Sequence, residues 1–156
     1  MVVTTTPSIR SLVAKLQTSY PHVQFVAGNS FCWSSDGSQV TYLADHDDAA
    51  LLLLHELAHG LLEHAQYDRD IHLLQMERMA WDEARTLATL FDVAYDEEIR
   101  ESALDSYRQW LHDRSSCPDC TTNGLQTEKT TYTCLACRQT WRVNEARVCG
   151  LRRWRL

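Results

Sequence analysis

His55-Glu56-Leu57-Ala58-His59 sets two imidazoles four positions apart with a carboxylate between them. On a helix, residues four apart share a face, so His55 and His59 can each aim a ring nitrogen at one ion. Glu56 is turned by about 100° from His55 at 3.6 residues per turn. Its carboxylate can then reach a water on the ion without joining the ligands. Neutral imidazoles suit zinc, and an open coordination position brings a bound water to a pKa of roughly 7. Glu56 would take that water's proton and later pass it to a leaving amine. The competing reading is a core helix with a solvated polar face. Against it, Leu53, Leu57, Leu61 and Leu62 give the segment an apolar side, and Gly60 leaves room beside His59.

A second set of ligand types lies downstream. Cys117-x-x-Cys120 and Cys134-x-x-Cys137 are two matched pairs separated by thirteen residues. Each pair offers two thiolates from one tight turn, and two such turns complete a tetrahedral four-cysteine zinc site. Such a site has no open position, so its expected role is structural, with metal binding supplying folding energy to a small segment. The spacing resembles that of a zinc ribbon. Cys32 and Cys149 are left over. Cys32, in an apolar stretch, is expected to be a small buried hydrophobe, and Cys149 lies in the tail.

The elements that must carry these residues follow from periodicity. Ile9, Leu12, Val13 and Leu16 predict a helix over 8–20, with Pro7-Ser8 as its start and Pro21 as its stop. Short strands are expected at 23–27, 30–33 and 39–43, with Asp36-Gly37 turning the last two into a hairpin. A helix over 45–64 carries the H-E-x-x-H residues, and further helices are expected at 70–91 and 96–114. Thr130–Thr133 and Thr140–Val143 read as strands around the second cysteine pair. Ser115-Ser116-Cys117-Pro118 breaks the pattern. The expected organisation is therefore an α+β domain over 1–114 and a zinc ribbon with basic tail over 115–156.

A catalytic zinc needs a third protein ligand, and the 70–91 helix offers Glu77, Asp82 and Glu83. His-Glu-Leu-Ala-His followed by Met76-Glu77-Arg78-Met79-Ala80-Trp81 resembles the gluzincin arrangement, nearest to ImmA/IrrE-like metallopeptidases. The resemblance covers roughly residues 8–91. It implies a zincin-like fold of helices with a short antiparallel sheet, and peptide-bond hydrolysis with Glu56 as base. It also implies Glu77 as third ligand, with Glu83 as second choice. Ala80 and Ala84 fit the family's small positions. Trp81 stands where the family has Asp or Asn, so the acceptor that usually takes a hydrogen bond from a ligand histidine is missing there. The resemblance further implies regulated, site-specific cleavage of a protein or peptide substrate, typically a DNA-bound repressor. The strand at 39–43 would capture an extended peptide by strand addition. Tyr67, His72 and Tyr95 are oxyanion-stabilising candidates by residue type alone, and His64 and His72 are spare metal-ligand types.

Composition limits the rest. Hydrophobic residues make up 44% of the 156, enough for a packed core. The net charge of −6 is uneven: from Cys117 onward seven Lys and Arg face three acids, leaving −10 on residues 1–116. Arg138, Trp141, Arg142, Arg147, Arg152, Arg153, Trp154 and Arg155 interleave arginine with tryptophan, a composition suited to phosphates and bases. Nucleic acid is therefore a candidate partner of the ribbon and tail. A non-catalytic, zinc-stabilised binding module is the alternative to a peptidase. Residues 2–8 lack the pattern of a secretion signal, and no apolar run is long enough to span a membrane. The expected compartment is cytoplasmic, where paired cysteines argue for metal over disulfides.

Overall fold

The computed structural model describes residues 6–145 and 150–156. Cys149 and Arg147 lie outside the described residues. Contacts divide the chain into two units, one of Met1–Ala65 with Met76–Glu97, the other of Gln66–Gln75 with Glu98–Leu156. The chain is mixed α+β, and among the described residues no helix is long and apolar enough to cross a membrane.

In the first unit, α1 (Ile9–Ser19) starts where Ser8 caps it, its hydroxyl accepting from the Ser11 N–H at 3.3 Å. Leu12 and Leu16, one turn apart, are fully buried. Strands β1 (Gln24–Ala27), β2 (Cys32–Ser34) and β3 (Gln39–Tyr42) form a sheet of order β1-β3-β2. The hairpin β2–β3 is antiparallel as expected, but β1 joins β3 in parallel. This corrects the expected purely antiparallel sheet: α1 and β1 precede the hairpin, and β1 fills the free side of β3. It also overturns strand addition at 39–43. β3 is the central strand, and its backbone groups are already paired on both sides.

Helix α2 (Ala49–Leu61) starts four residues later than its acidic lead-in suggests, after a turn through Asp47 and Asp48. It packs on β3 and β2. Leu53, Leu54 and Leu57 are fully buried, which makes it the unit's central helix. Each such leucine contributes roughly 1.5–3 kcal/mol relative to exposure. Helix α3 (Asp70–Leu90) supplies Ala80, Ala84 and Leu87 to the same core. From the same helix the Glu77 side chain reaches His55 and His59 of α2.

Cys32 is exposed, correcting its expected burial. Alternation along β2 turns Trp33 toward the helix and Cys32 outward.

In the second unit, α4 (Glu97–Ser115) leads into a four-stranded antiparallel sheet of β4 (Leu125–Glu128), β5 (Thr131–Thr133), β6 (Thr140–Val143) and β7 (Arg153–Arg155). The tail is thus a strand. Trp141 and Tyr132 stack in the core at 5.7 Å between centroids, and Gly124 makes room for Trp141. Arg114 is buried beside them. Its Nε donates to the Tyr132 hydroxyl at 3.2 Å, and its two terminal nitrogens donate to the carbonyls of Asn144 (2.9 Å) and Lys129 (3.2 Å). The Asp70 carboxylate lies 3.6 Å away and also accepts from Tyr132. Burial, followed by Asp70, pushes the Tyr132 phenol pKa up and keeps it a donor. Gln126 accepts from the Asp70 N–H at 2.9 Å, satisfying a first-turn amide of α3.

Candidate metal centres

Two groups of ligand types converge, one in each unit. The first joins His55 and His59 of α2 to Glu77 of α3. The two Nε2 atoms are 3.2 Å apart. Glu77 sets Oε2 3.3 Å from His55 Nε2 and Oε1 3.6 Å from His59 Nε2. An ion held tetrahedrally by bonds of about 2.0–2.1 Å has ligand-to-ligand edges of roughly 3.3 Å. The two imidazole nitrogens are separated by such an edge, and the Glu77 carboxylate brings one oxygen to each of them at a similar distance. All three residues are buried, and Glu77 Oε2 has no hydrogen-bond partner, an acceptor left over for an ion. Burial pushes the Glu77 carboxyl up, but the facing His55 and His59 rings outweigh it and bring the pKa down to about 2. Glu77 is thus a carboxylate at neutral pH, as a metal ligand must be.

Glu56 is half-buried on the same helix and belongs to no ligand group. Burial raises its pKa, offset in part by His55 and His59, and a backbone hydrogen bond from Trp33 also favours the charged form. Glu83, the second choice, is not in the group; its charge acts on the Tyr20 phenol instead. Asp82 is exposed.

Trp81 occupies the place expected for Asp or Asn and does something else there. Its indole stacks on the His55 ring with centroids 4.3 Å apart, and Tyr95 meets Trp81 edge-on at 6.5 Å. His55 Nδ1 accordingly has no hydrogen-bond partner. On His59 the corresponding atom is occupied: Nδ1 lies 2.9 Å from Nδ1 of His64. His64, a spare metal-ligand type by sequence, is not in the ligand group; it lies beyond the end of α2 and meets His59 instead. Of the oxyanion candidates, Tyr95 points its hydroxyl at the Trp81 carbonyl (3.5 Å), while Tyr67 and His72 belong to the other unit.

The second group is Cys117, Cys120, Cys134 and Cys137. Cys117 and Cys137 sulfurs lie 3.6 Å apart, Cys120 and Cys134 sulfurs 3.5 Å. Bonds of about 2.3 Å in a tetrahedron give edges of roughly 3.8 Å. The two turns are built alike. Thr121 N–H returns to Cys117 O at 3.0 Å, and Arg138 N–H to Cys134 O at 3.0 Å. Thr121 (φ 63°) and Arg138 (φ 65°) are both left-handed. The Asp119 and Cys137 amides each point at the first sulfur of their turn at 3.5 Å. Matched turns with amides aimed at sulfur are what thiolates bound to a cation require.

The interleaved arginines and tryptophans are only partly a surface. Trp141 is fully buried, Arg153 donates to the Asp113 carbonyl, and Arg155 pairs with Asp119 at 2.6 Å. Trp154 remains exposed, with the Arg142 guanidinium 5.4 Å from its ring.

No family model, curated protein or solved structure matches the chain.

Proposed function

We propose that the protein is a zinc-dependent metallopeptidase in which His55, His59 and Glu77 hold the catalytic zinc and Glu56 is the general base. One observation carries the reading. Two imidazole nitrogens 3.2 Å apart face the two oxygens of the Glu77 carboxylate, beside a second carboxylate, Glu56, that is not in the group. Three protein ligands leave a fourth position for water and substrate, the mark that separates catalytic zinc from structural zinc. His55, His59 and Glu77 would hold the zinc, which would supply Lewis-acid polarisation of a water and of the scissile carbonyl. Glu56 accepts the proton that the attacking water loses and returns it to the amine that leaves. Its raised pKa suits both transfers, since a carboxyl of ordinary acidity holds a proton too briefly to deliver it. Glu77 contributes a permanent negative charge to the ligand set. Four thiolates, soft and without an open position, make the second zinc a structural one.

The substrate class follows from the resemblance: a protein or peptide cleaved at one site. The alternative is a zinc-stabilised binding module without catalysis. The observation favouring it is Trp81, which stands where the resemblance expects Asp or Asn and stacks on His55, whose Nδ1 has no hydrogen-bond partner. Under that reading, Trp154 and Arg142 would face nucleic acid or a protein partner.

The test compares wild type with Glu56→Gln on a proteome-derived peptide mixture, with zinc counted in both. The peptidase reading expects about two zinc ions per chain in each protein and cleavage by wild type alone. Wild type that carries both ions and cleaves nothing would favour the binding module.

A further inference from the structure

We propose that His64 is a positioning residue for the metal centre: its Nδ1 accepts the proton on His59 Nδ1 and so turns the His59 Nε2 lone pair toward Glu77. The inference rests on the metal reading above, and it extends that reading to a residue outside the H-E-x-x-H segment. A ring that ligates through Nε2 must carry its proton on Nδ1. At 2.9 Å, His64 Nδ1 is then the acceptor, and His64 holds its own proton on Nε2. The bond fixes both the tautomer and the rotation of the His59 ring.

The turn that delivers His64 is built for the purpose. After α2 ends, Glu63 adopts φ 55°, a left-handed conformation that glycine usually fills at this place. The chain then folds back, and His64 N–H bonds His59 O at 2.9 Å. Trp33 clamps the turn from the sheet side, its indole N–H donating to the His64 carbonyl at 3.2 Å. Gly60 allows that clamp, because a Cβ there would sit 2.8 Å from the Trp33 ring. A non-glycine residue held left-handed is strained, and the surroundings must offset that strain. The turn gives His59 a polar side-chain contact, from His64. The two ligand histidines are thus held differently, His59 by a hydrogen bond and His55 by the stacked Trp81.

The experiment measures zinc affinity of the full chain by competition with a chelator. A His55→Ala protein defines the zinc that belongs to the four cysteines. His64→Leu keeps the bulk and removes the acceptor, and zinc affinity at the histidine site is expected to fall about 10- to 100-fold. His64→Asn keeps an acceptor oxygen at the δ position and should stay within roughly threefold of wild type. His64→Gln moves the acceptor one bond outward and should lose as much as Leu; it replaces the Leu variant if that protein does not fold. If Leu binds zinc like wild type, or Asn weakens as much as Leu, His64 only fills space and the proposal is overturned. Wild type with a single zinc that His55→Ala leaves in place would instead overturn the metal reading, and the role of His64 with it.

Discussion

Replacing Arg114 tests how the cysteine-bearing unit is held together. The guanidinium is 1% exposed and uses all three nitrogens: one on Tyr132, one on Asn144 O, one on Lys129 O, with Asp70 at 3.6 Å. Trp110 lies 4.4 Å from its carbon, a further cation–π contact. Arg114→Met takes the guanidinium donor from the part-buried Asn144 carbonyl, removes one of the two side-chain donors to Lys129 O, and leaves the Asp70 carboxylate, itself only 13% exposed, without a countercharge. Breaking a buried pair on one side costs about 3–5 kcal/mol. The lost hydrogen bonds share partners with that pair, so they do not add in full, and about 4 kcal/mol is the expected total. Arg114→Lys keeps the charge but has one nitrogen for positions spread over three, so a loss of about 2 kcal/mol is expected. Arg114→Met with Asp70→Asn removes the stranded charge and should recover about 1–2 kcal/mol of the single-variant loss. The assay is urea unfolding followed by tryptophan emission, with zinc in fixed excess so that metal linkage is constant. With a slope near 2 kcal/mol/M, the Met variant's midpoint should drop by about 2 M. A Lys variant within about 0.5 kcal/mol of wild type would refute the argument from geometry, since charge alone would then suffice.

Gly60→Ala should destabilise the first unit despite the better helix propensity of alanine. The clash with Trp33 costs about 1–3 kcal/mol against a propensity gain near 1, and a raised melting temperature would show that Trp33 yields freely. Cys134→Ser should lower the zinc count by one and abolish the β-sheet signal of the second unit in circular dichroism, because metal binding carries its folding free energy. Zinc at the histidine site should persist in that variant; its loss would contradict independent ligand sets. Trp81→Ala removes a fully buried indole and should cost about 3–5 kcal/mol in thermal or chemical unfolding.

The parts legible in the sequence are those that rest on spacing within one element. His55 and His59 had to share a helix face, and Glu56 had to be turned from it, whatever surrounded them. The cysteine pairs were equally plain, since each knuckle is a local turn. Glu77 needed more: its helix offered three acids, and only the resemblance ranked them. The sequence also marked Trp81 as a departure, but not that an indole could stack on the ligand it failed to hydrogen-bond. What stayed hidden depends on distant partners. Nothing near Val23–Ala27 says that it will pair in parallel with β3 and close the edge expected for peptide capture. Arg114 ends an ordinary-looking helix, and its partners lie up to 44 residues away along the chain at Asp70. Arg153–Arg155 read as a charged tail, yet Trp154 pairs with Arg142 across strands and the segment becomes an edge of the sheet. Alternation over three residues is too short a pattern to announce a strand.

The stacking of Trp81 on His55 has a practical meaning for anyone studying this centre. Among the five tryptophans of the chain, Trp81 is held face to face with a ring of the candidate site, centroids 4.3 Å apart. Indole emission responds to the electronic state of a stacked neighbour, and under the proposed metal reading an ion on His55 would change that state directly. The chain therefore carries its own optical label. Subtracting the emission of a His55→Ala protein isolates the label's response, and metal arrival and departure can be followed in real time without a dye or a substrate.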